Sequence, residues 1–164
     1  MICIQTVCIK TMADISLNEN RLALLIWQIS NLWQSKVKLK LKHLNIGFNE
    51  YLILETLSKL QQKSQSISQQ DICKQSSMDR SVVSLRILKL EKKNLITKIQ
   101  PKDRRSNSLI LTSKGNNLIK DIKYIIEDQE KEIFDKLGSE IFNFTNSLKL
   151  LLGKKIRIRA KLND

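Results

Sequence analysis

The sequence predicts a mostly helical fold with a small β-wing: a winged helix-turn-helix carried between long N- and C-terminal helices. Three observations predict it. Glycine and proline are scarce, four and one in 164 residues, and apolar residues recur over long stretches at helical spacing. Between Ser68 and Lys93 two such stretches are short and are separated by a polar turn. After them, two short apolar runs flank a charged tip, PKDRRS, as the strands of a hairpin would.

Each element can be justified in order. Ser16 to Lys42 is expected to form one helix, with Ser16 as cap and Glu19 completing a capping box. Leu22, Leu25, Ile26, Ile29, Trp33, Val37 and Leu41 share one face, while Leu24, Trp27 and Leu32 fall off it. A helix apolar on two sides fits burial both in its own domain and against a partner chain; Trp27 fits either place. His43, the single histidine, sits at the helix end as a surface or capping residue. Gly47 opens a second helix, Phe48 to Leu60, striped by Tyr51, Leu54, Leu57 and Leu60. Ser68 caps a short helix through Gln75 with Ile72 and Cys73 inward, and Ser76 and Ser77 break it.

Asp79 is expected to cap the next helix, Arg80 to Lys93, because a carboxylate accepts N–H bonds and meets the positive end of the helix dipole. Its inward stripe is Val83, Ile87 and Leu90. The other face carries Arg80, Ser81, Ser84, Leu85, Leu88 and Lys89. Small and polar groups near the start of a second helix suit close approach to base edges in a major groove. Asn94 tolerates the left-handed conformation of a helix end. Leu95–Gln100 and Asn107–Leu111 then read as two strands. At their tip Asp103 can pair with Arg105 and hold its guanidinium for a narrow minor groove; the alternative is an ordinary surface salt bridge. Thr112 caps a long helix from Ser113 to about Lys136, and Gly138 and Ser139 break it. A last helix, Glu140 to Leu152, carries Ile141, Phe142, Phe144, Leu148, Leu151 and Leu152. That surface is too apolar for a lone terminal helix and is expected to meet another chain.

Charge points to an anionic partner. The formal net charge is +13. From Asp79 to Lys114 there are ten Lys and Arg against three acids, and from Lys149 to Lys161 there are six and none. From Asp121 to Lys136 the balance reverses, with six acids against three lysines. The basic charge is therefore concentrated in the helix–hairpin segment and the tail.

Three cysteines, Cys3, Cys8 and Cys73, form neither a disulfide framework nor a zinc site, and a reducing cytoplasm is the default. Cys73 reads as a small core residue, and Cys3 and Cys8 are candidates for a thiol switch. The sequence is expected to hold neither a signal peptide nor a membrane span. Met12 is an alternative translation start. One histidine, no glycine-rich phosphate loop and no nucleophile with a base argue against an enzyme, and no metal or cofactor is expected.

The expected organisation is a disordered N-terminus over residues 1–15, one domain over 16–153, and a basic tail over 154–164. Residues 46–112 form the winged helix-turn-helix, and 16–45 and 113–153 the dimerisation helices.

Three motifs in this order carry a family resemblance: LEKKNLI (Leu90 to Ile96), DRR (Asp103 to Arg105) and LTSKG (Leu111 to Gly115). With them the sequence resembles the MarR family, the multiple-antibiotic-resistance type of bacterial winged-helix regulators, over about Ile46 to Leu118. The resemblance implies a homodimer on a roughly palindromic double-stranded DNA operator, and release by a small ligand or oxidant. It places Ser81, Val82, Ser84 and Leu85 on the recognition helix, and Asp103 and Arg105 as the wing pair. Leu85 stands where an Arg is common, Ser76 where the turn buries an apolar residue, Asn94 for a Gly, and Gly47 for a Thr cap.

The expected DNA-binding set is therefore Arg80, Ser81, Val82, Ser84, Leu85, Leu88, Lys89, Lys98, Lys102, Asp103, Arg104 and Arg105. Lys92 and Lys93 are expected as further phosphate contacts. The expected dimerisation residues are Trp27, Phe142, Phe144, Leu148 and Leu151. The function expected is a transcriptional repressor. The alternative is a basic winged-helix scaffold for protein, RNA or an anionic membrane.

Overall fold

A computed structural model of the chain describes residues 21–64, 66–99 and 108–156. The elements in order are α1 (Leu22–Lys42), α2 (Phe48–Gln61), α3 (Gln69–Ser76), α4 (Arg80–Lys92), β1 (Ile96–Ile99), β2 (Ser108–Leu111), α5 (Ser113–Phe134) and α6 (Ile141–Leu151). The expected disorder over 1–15, the Ser16–Glu19 capping box, Cys3 and Cys8 lie outside the described residues. So do the hairpin tip with Lys102 to Arg105 and the tail from Arg157.

The core is built where α2, α3, α4 and the hairpin meet. Ile53, Leu54 and Leu57 of α2, Ile72 of α3 and Val83, Ile87 and Leu90 of α4 are sealed from solvent, and Ile67, Ile96 and Leu109 close the edge. Except for Ile53, which the α2 stripe did not include, these helical positions are the stripes read from the sequence, now facing one another. Cys73 packs partly buried against them. The two strands pair antiparallel, Ile96 with Leu111 and Ile99 with Ser108. Ile67 extends the hairpin by one residue: it receives the Leu109 N–H at 2.8 Å and donates its own N–H to Ser108 Oγ at 2.9 Å.

Only the C-terminal half of α1 joins this core, through Val37 and Leu41. The first half keeps its apolar stripe in solvent, with Leu22, Leu25 and Ile26 exposed. Trp27 does not fill the monomer core, since it is 59% exposed. Trp33 instead packs edge-on against Phe48, with ring centroids 5.3 Å apart. α5 lies along α1, joined by a Lys36–Glu132 ion pair. It ends at Phe134, slightly before the expected Lys136, in a 3₁₀ turn over Asp135–Glu140. Gly138 breaks that turn at φ +51°, a region that disfavours a Cβ. α6 follows, and none of its residues is buried.

The joint between α4 and α5 sets the angle between the two halves of the chain. Helix α4 ends in a Schellman motif. Asn94 turns left-handed at φ +56°, its N–H reaches Glu91 O at 2.9 Å, and the Leu95 N–H reaches Leu90 O at 3.0 Å. Leu95 therefore belongs to the helix end rather than to β1, where the sequence reading had placed it. Thr112 comes back across this turn. Its N–H donates to Leu95 O at 3.1 Å, its hydroxyl donates to Asn94 O at 2.7 Å, and the same oxygen accepts the Gly115 N–H at 3.0 Å to cap α5. Gly115 lies so close that a Cβ there would sit 2.1 Å from Leu95 O. Gly115→Ala must push the α5 backbone off this carbonyl, and we expect it to destabilise the fold by about 3 kcal/mol. A urea midpoint unchanged by the substitution would contradict the joint.

Candidate nucleic-acid interface

Helix α3 is short, so its termini matter. Ser68 caps it in a full capping box: Ser68 Oγ accepts the Asp71 N–H at 3.3 Å, and Asp71 Oδ2 accepts the Ser68 N–H at 2.8 Å and hydroxyl at 2.7 Å. The hydroxyl and N–H of Ser68 hold the Asp71 carboxyl below the usual carboxylate range. The turn to α4 passes through Ser77 in the left-handed region at φ +57°. Ser76 does not leave this turn loose. Its hydroxyl donates to Ile72 O at 2.7 Å and accepts the Met78 N–H at 3.3 Å, and Met78 packs against the core in the apolar role.

Asp79 takes the extended backbone of a cap, but its side chain makes no cap hydrogen bond, which corrects the expected cap. On α4 itself Val83, Ile87 and Leu90 anchor one face, and Arg80, Ser81, Leu85, Leu88 and Lys89 are exposed on the other. Leu85 and Leu88 are each 52% exposed, so they put apolar surface on the outer face of α4. Val82 is half-buried. Ser84 is half-buried too and accepts a hydrogen bond from the Gln69 side chain, so it is not the free hydroxyl expected from helical spacing. Gln69 also reaches Arg80 O at 3.4 Å and so ties the start of α3 to α4. Sequence reasoning missed it, because a glutamine in a Gln/Ser-rich run carries no periodic signal.

The lysines divide. Lys89 and Lys92 are exposed. Lys93 is not available as a phosphate contact, because it is held inward by Glu50 Oε2 and by Asn45 O, both at 2.6 Å. Glu50 is only 4% exposed and also accepts the Gly47 N–H at 3.1 Å, the N3 half of a capping box that a glycine cannot complete with a side chain of its own. Lys98 is paired with Glu91 at 2.8 Å, so a phosphate contact there would have to displace that carboxylate. The remaining sequence-expected residues, Lys102, Asp103, Arg104 and Arg105, lie outside the described residues.

Where α2 faces α5, Tyr51 donates its hydroxyl to Glu55, which also receives Lys59. Burial first, then Glu55, pushes the Tyr51 hydroxyl far above its ordinary range. Burial works to raise Glu55, but the Lys59 and Tyr51 donors outweigh it and hold Glu55 low. Glu130 is raised by burial and by the neighbouring Glu55 and Glu127 carboxylates. Of the expected dimerisation residues, Leu151 is 69% exposed and Phe142, Phe144 and Leu148 are half-buried. No helix is long and apolar enough to cross a membrane among the described residues, and no cluster of three or more His, Cys, Asp or Glu there could hold a metal ion.

A short helix, a tight turn, a second helix with a free outer face and an antiparallel hairpin define a winged helix. Residues 49–106 match the model of the MarR family. Among solved structures it is similar to the Staphylococcus aureus regulator MepR in complex with DNA, at 25% identity and TM-score 0.73, covering 84% of this chain and 98% of that one. It shares its fold with CouR from Rhodococcus jostii bound to p-coumaroyl-CoA, at 16% identity and TM-score 0.72, covering 85% and 96%. The fold is also that of a Mycobacterium tuberculosis MarR family protein in complex with p-aminosalicylic acid, at 19% identity and TM-score 0.64, covering 81% and 98%. Sequence comparison with curated proteins finds no significant match.

The Asp71 box gives a pH dependence with a definite sign. A carboxyl held low in the folded state adds stability that is present above its unfolded value, about 3.9. That stability is lost as pH falls through the lower folded value. Between pH 7 and pH 3 the wild type should therefore lose more unfolding free energy than Asp71→Asn. Equal losses in urea titrations at the two pH values would contradict the box.

Proposed function

We propose that the chain is a DNA-binding transcriptional regulator, acting as a homodimeric repressor on a pseudo-palindromic operator and released by a small ligand. One observation carries the reading: α4 is anchored by Val83, Ile87 and Leu90 and offers Arg80, Ser81, Leu85, Leu88 and Lys89 outward. A helix held that way presents its N-terminal half to base edges, and its lysines to the backbone on either side. The exposed leucines suit thymine methyl groups, which are the apolar features of a major groove.

Several further features support the finer points. The likeness to a regulator solved on DNA supports the duplex as partner. Exposed apolar faces on α1 and α6 support a second copy, since together they form a surface that a lone chain would hide. A groove between them is lined by Leu22, Leu25, Ile26, Leu32 and Phe144. Trp27 and Leu151 are exposed on the same two helices. Relatives in fold that bind p-coumaroyl-CoA and p-aminosalicylic acid support a small releasing ligand. No observation specifically favours the scaffold reading.

Fluorescence anisotropy on duplexes from upstream of its gene tests this. Binding should saturate at two chains per duplex and prefer one sequence. It should weaken about 10³-fold or more between 50 and 200 mM salt, as counterion release at several phosphates requires. Arg105→Ala should cost about tenfold, or about 1.4 kcal/mol. Weak binding that is equal on every duplex and blind to the substitution would overturn the reading.

A further inference from the structure

Beside the outer face of α4, the C-terminal end of α1, the start of α2 and the last turns of α4 line an open cleft of ≈ 480 Å³. Four lysines from two helices and the end of α4 line it: Lys38 and Lys42 of α1, and Lys89 and Lys93. One carboxylate lines it as well, that of Glu50, and it is already committed to Lys93. Lys38, Lys42 and Lys89 are exposed, and none has a carboxylate partner among the described residues. Lys38 holds its ammonium 5.7 Å from the Phe48 ring centroid, a cation–π contact that keeps it over the cleft.

Three like charges gathered in one concavity repel one another, and an anion relieves that repulsion. Lysine is a point charge with rotatable donors, so the chemistry fits a phosphate rather than a planar bidentate partner. The Glu50–Lys93 pair keeps the floor rigid, because Lys93 is fixed by two acceptors.

We propose that this cleft is a phosphate-binding site, and that it seats one backbone phosphate of the duplex beside the groove that α4 enters. The proposal rests on the DNA-binding reading and extends its footprint beyond the helix-turn-helix to the end of α1. Lys89 is the link, because it both lines the cleft and belongs to the exposed face of α4. A free phosphate monoester carries the same chemistry and is the other source that a test must separate.

The test compares the wild type with Lys38→Ala/Lys42→Ala, and with Lys120→Ala/Lys136→Ala. The second pair removes the same charge from exposed positions on and just after α5. The cleft pair should lower the magnitude of the slope of log affinity against log salt by about 0.9, one phosphate's worth. It should leave the ratio of preferred to scrambled duplex unchanged. The control pair should leave the slope alone. In parallel, inorganic phosphate is titrated without DNA while the backbone amide signals of Gly47 and Phe48 are followed. They should shift saturably in the wild type and not in the cleft variant. An unchanged slope with saturable shifts would overturn the backbone assignment and make a free anion the ligand. An unchanged slope without shifts would overturn the site. If the wild type binds no duplex, the functional reading falls, and the phosphate titration alone decides the cleft.

Discussion

The rest of the structure depends on one carbonyl group, that of Leu95. It ends the segment that caps α4, it receives Thr112, and it leaves room for nothing larger than a glycine at position 115. Through it the hairpin, α4 and the first turn of α5 become one body. Lys114 adds a further tie by donating to Lys93 O at 3.1 Å. The consequence is mechanical. A helix that is to read a duplex must keep its orientation relative to whatever holds the second copy, and α5 is the element that runs from the reading half toward α6. A hydrogen-bonded joint of this kind transmits orientation better than a flexible linker, because each backbone group in it has a fixed partner.

Glu50 makes a second tie at the same end of α4, this time to α2. A nearly buried carboxylate is costly unless paired, and it is paired with Lys93 while also holding the Gly47 N–H. This links the start of α2 to the end of α4. Removal of Lys93 would leave the Glu50 carboxylate buried without its cation. With Lys93 turned inward, Lys89 and Lys92 remain as the outward basic groups of that stretch.

Much of this was legible in the sequence. Helical spacing of Leu54 and Leu57, and of Val83, Ile87 and Leu90, located α2 and α4, because burial on one face is a local pattern. Asn94, Ser68 and Thr112 were legible as caps because cap chemistry acts within three or four residues. What was not legible depends on partners far along the chain. The spacing of Ser84 marks it as outward, and nothing nearby announces Gln69. Lys93 reads as one more cation in a basic run until Glu50, forty-three residues earlier, is placed beside it. Asp79 has the right residue type for a cap, yet its side chain is not used as one. Leu95 reads as the first residue of a strand because it is apolar and follows Asn94, whereas its N–H completes the helix end. The apolar first half of α1 was legible as two-sided, and its exposure in the single chain agrees with that reading.

The central claim is that the outer face of α4 is the surface that meets the duplex. Amide hydrogen exchange with and without a preferred duplex tests it most directly. The account predicts slowed exchange in α4 and at the start of α3, with none over residues 127–134 of the acidic stretch of α5. Slowed exchange confined to α5 and α6, with α4 unaffected, would contradict it.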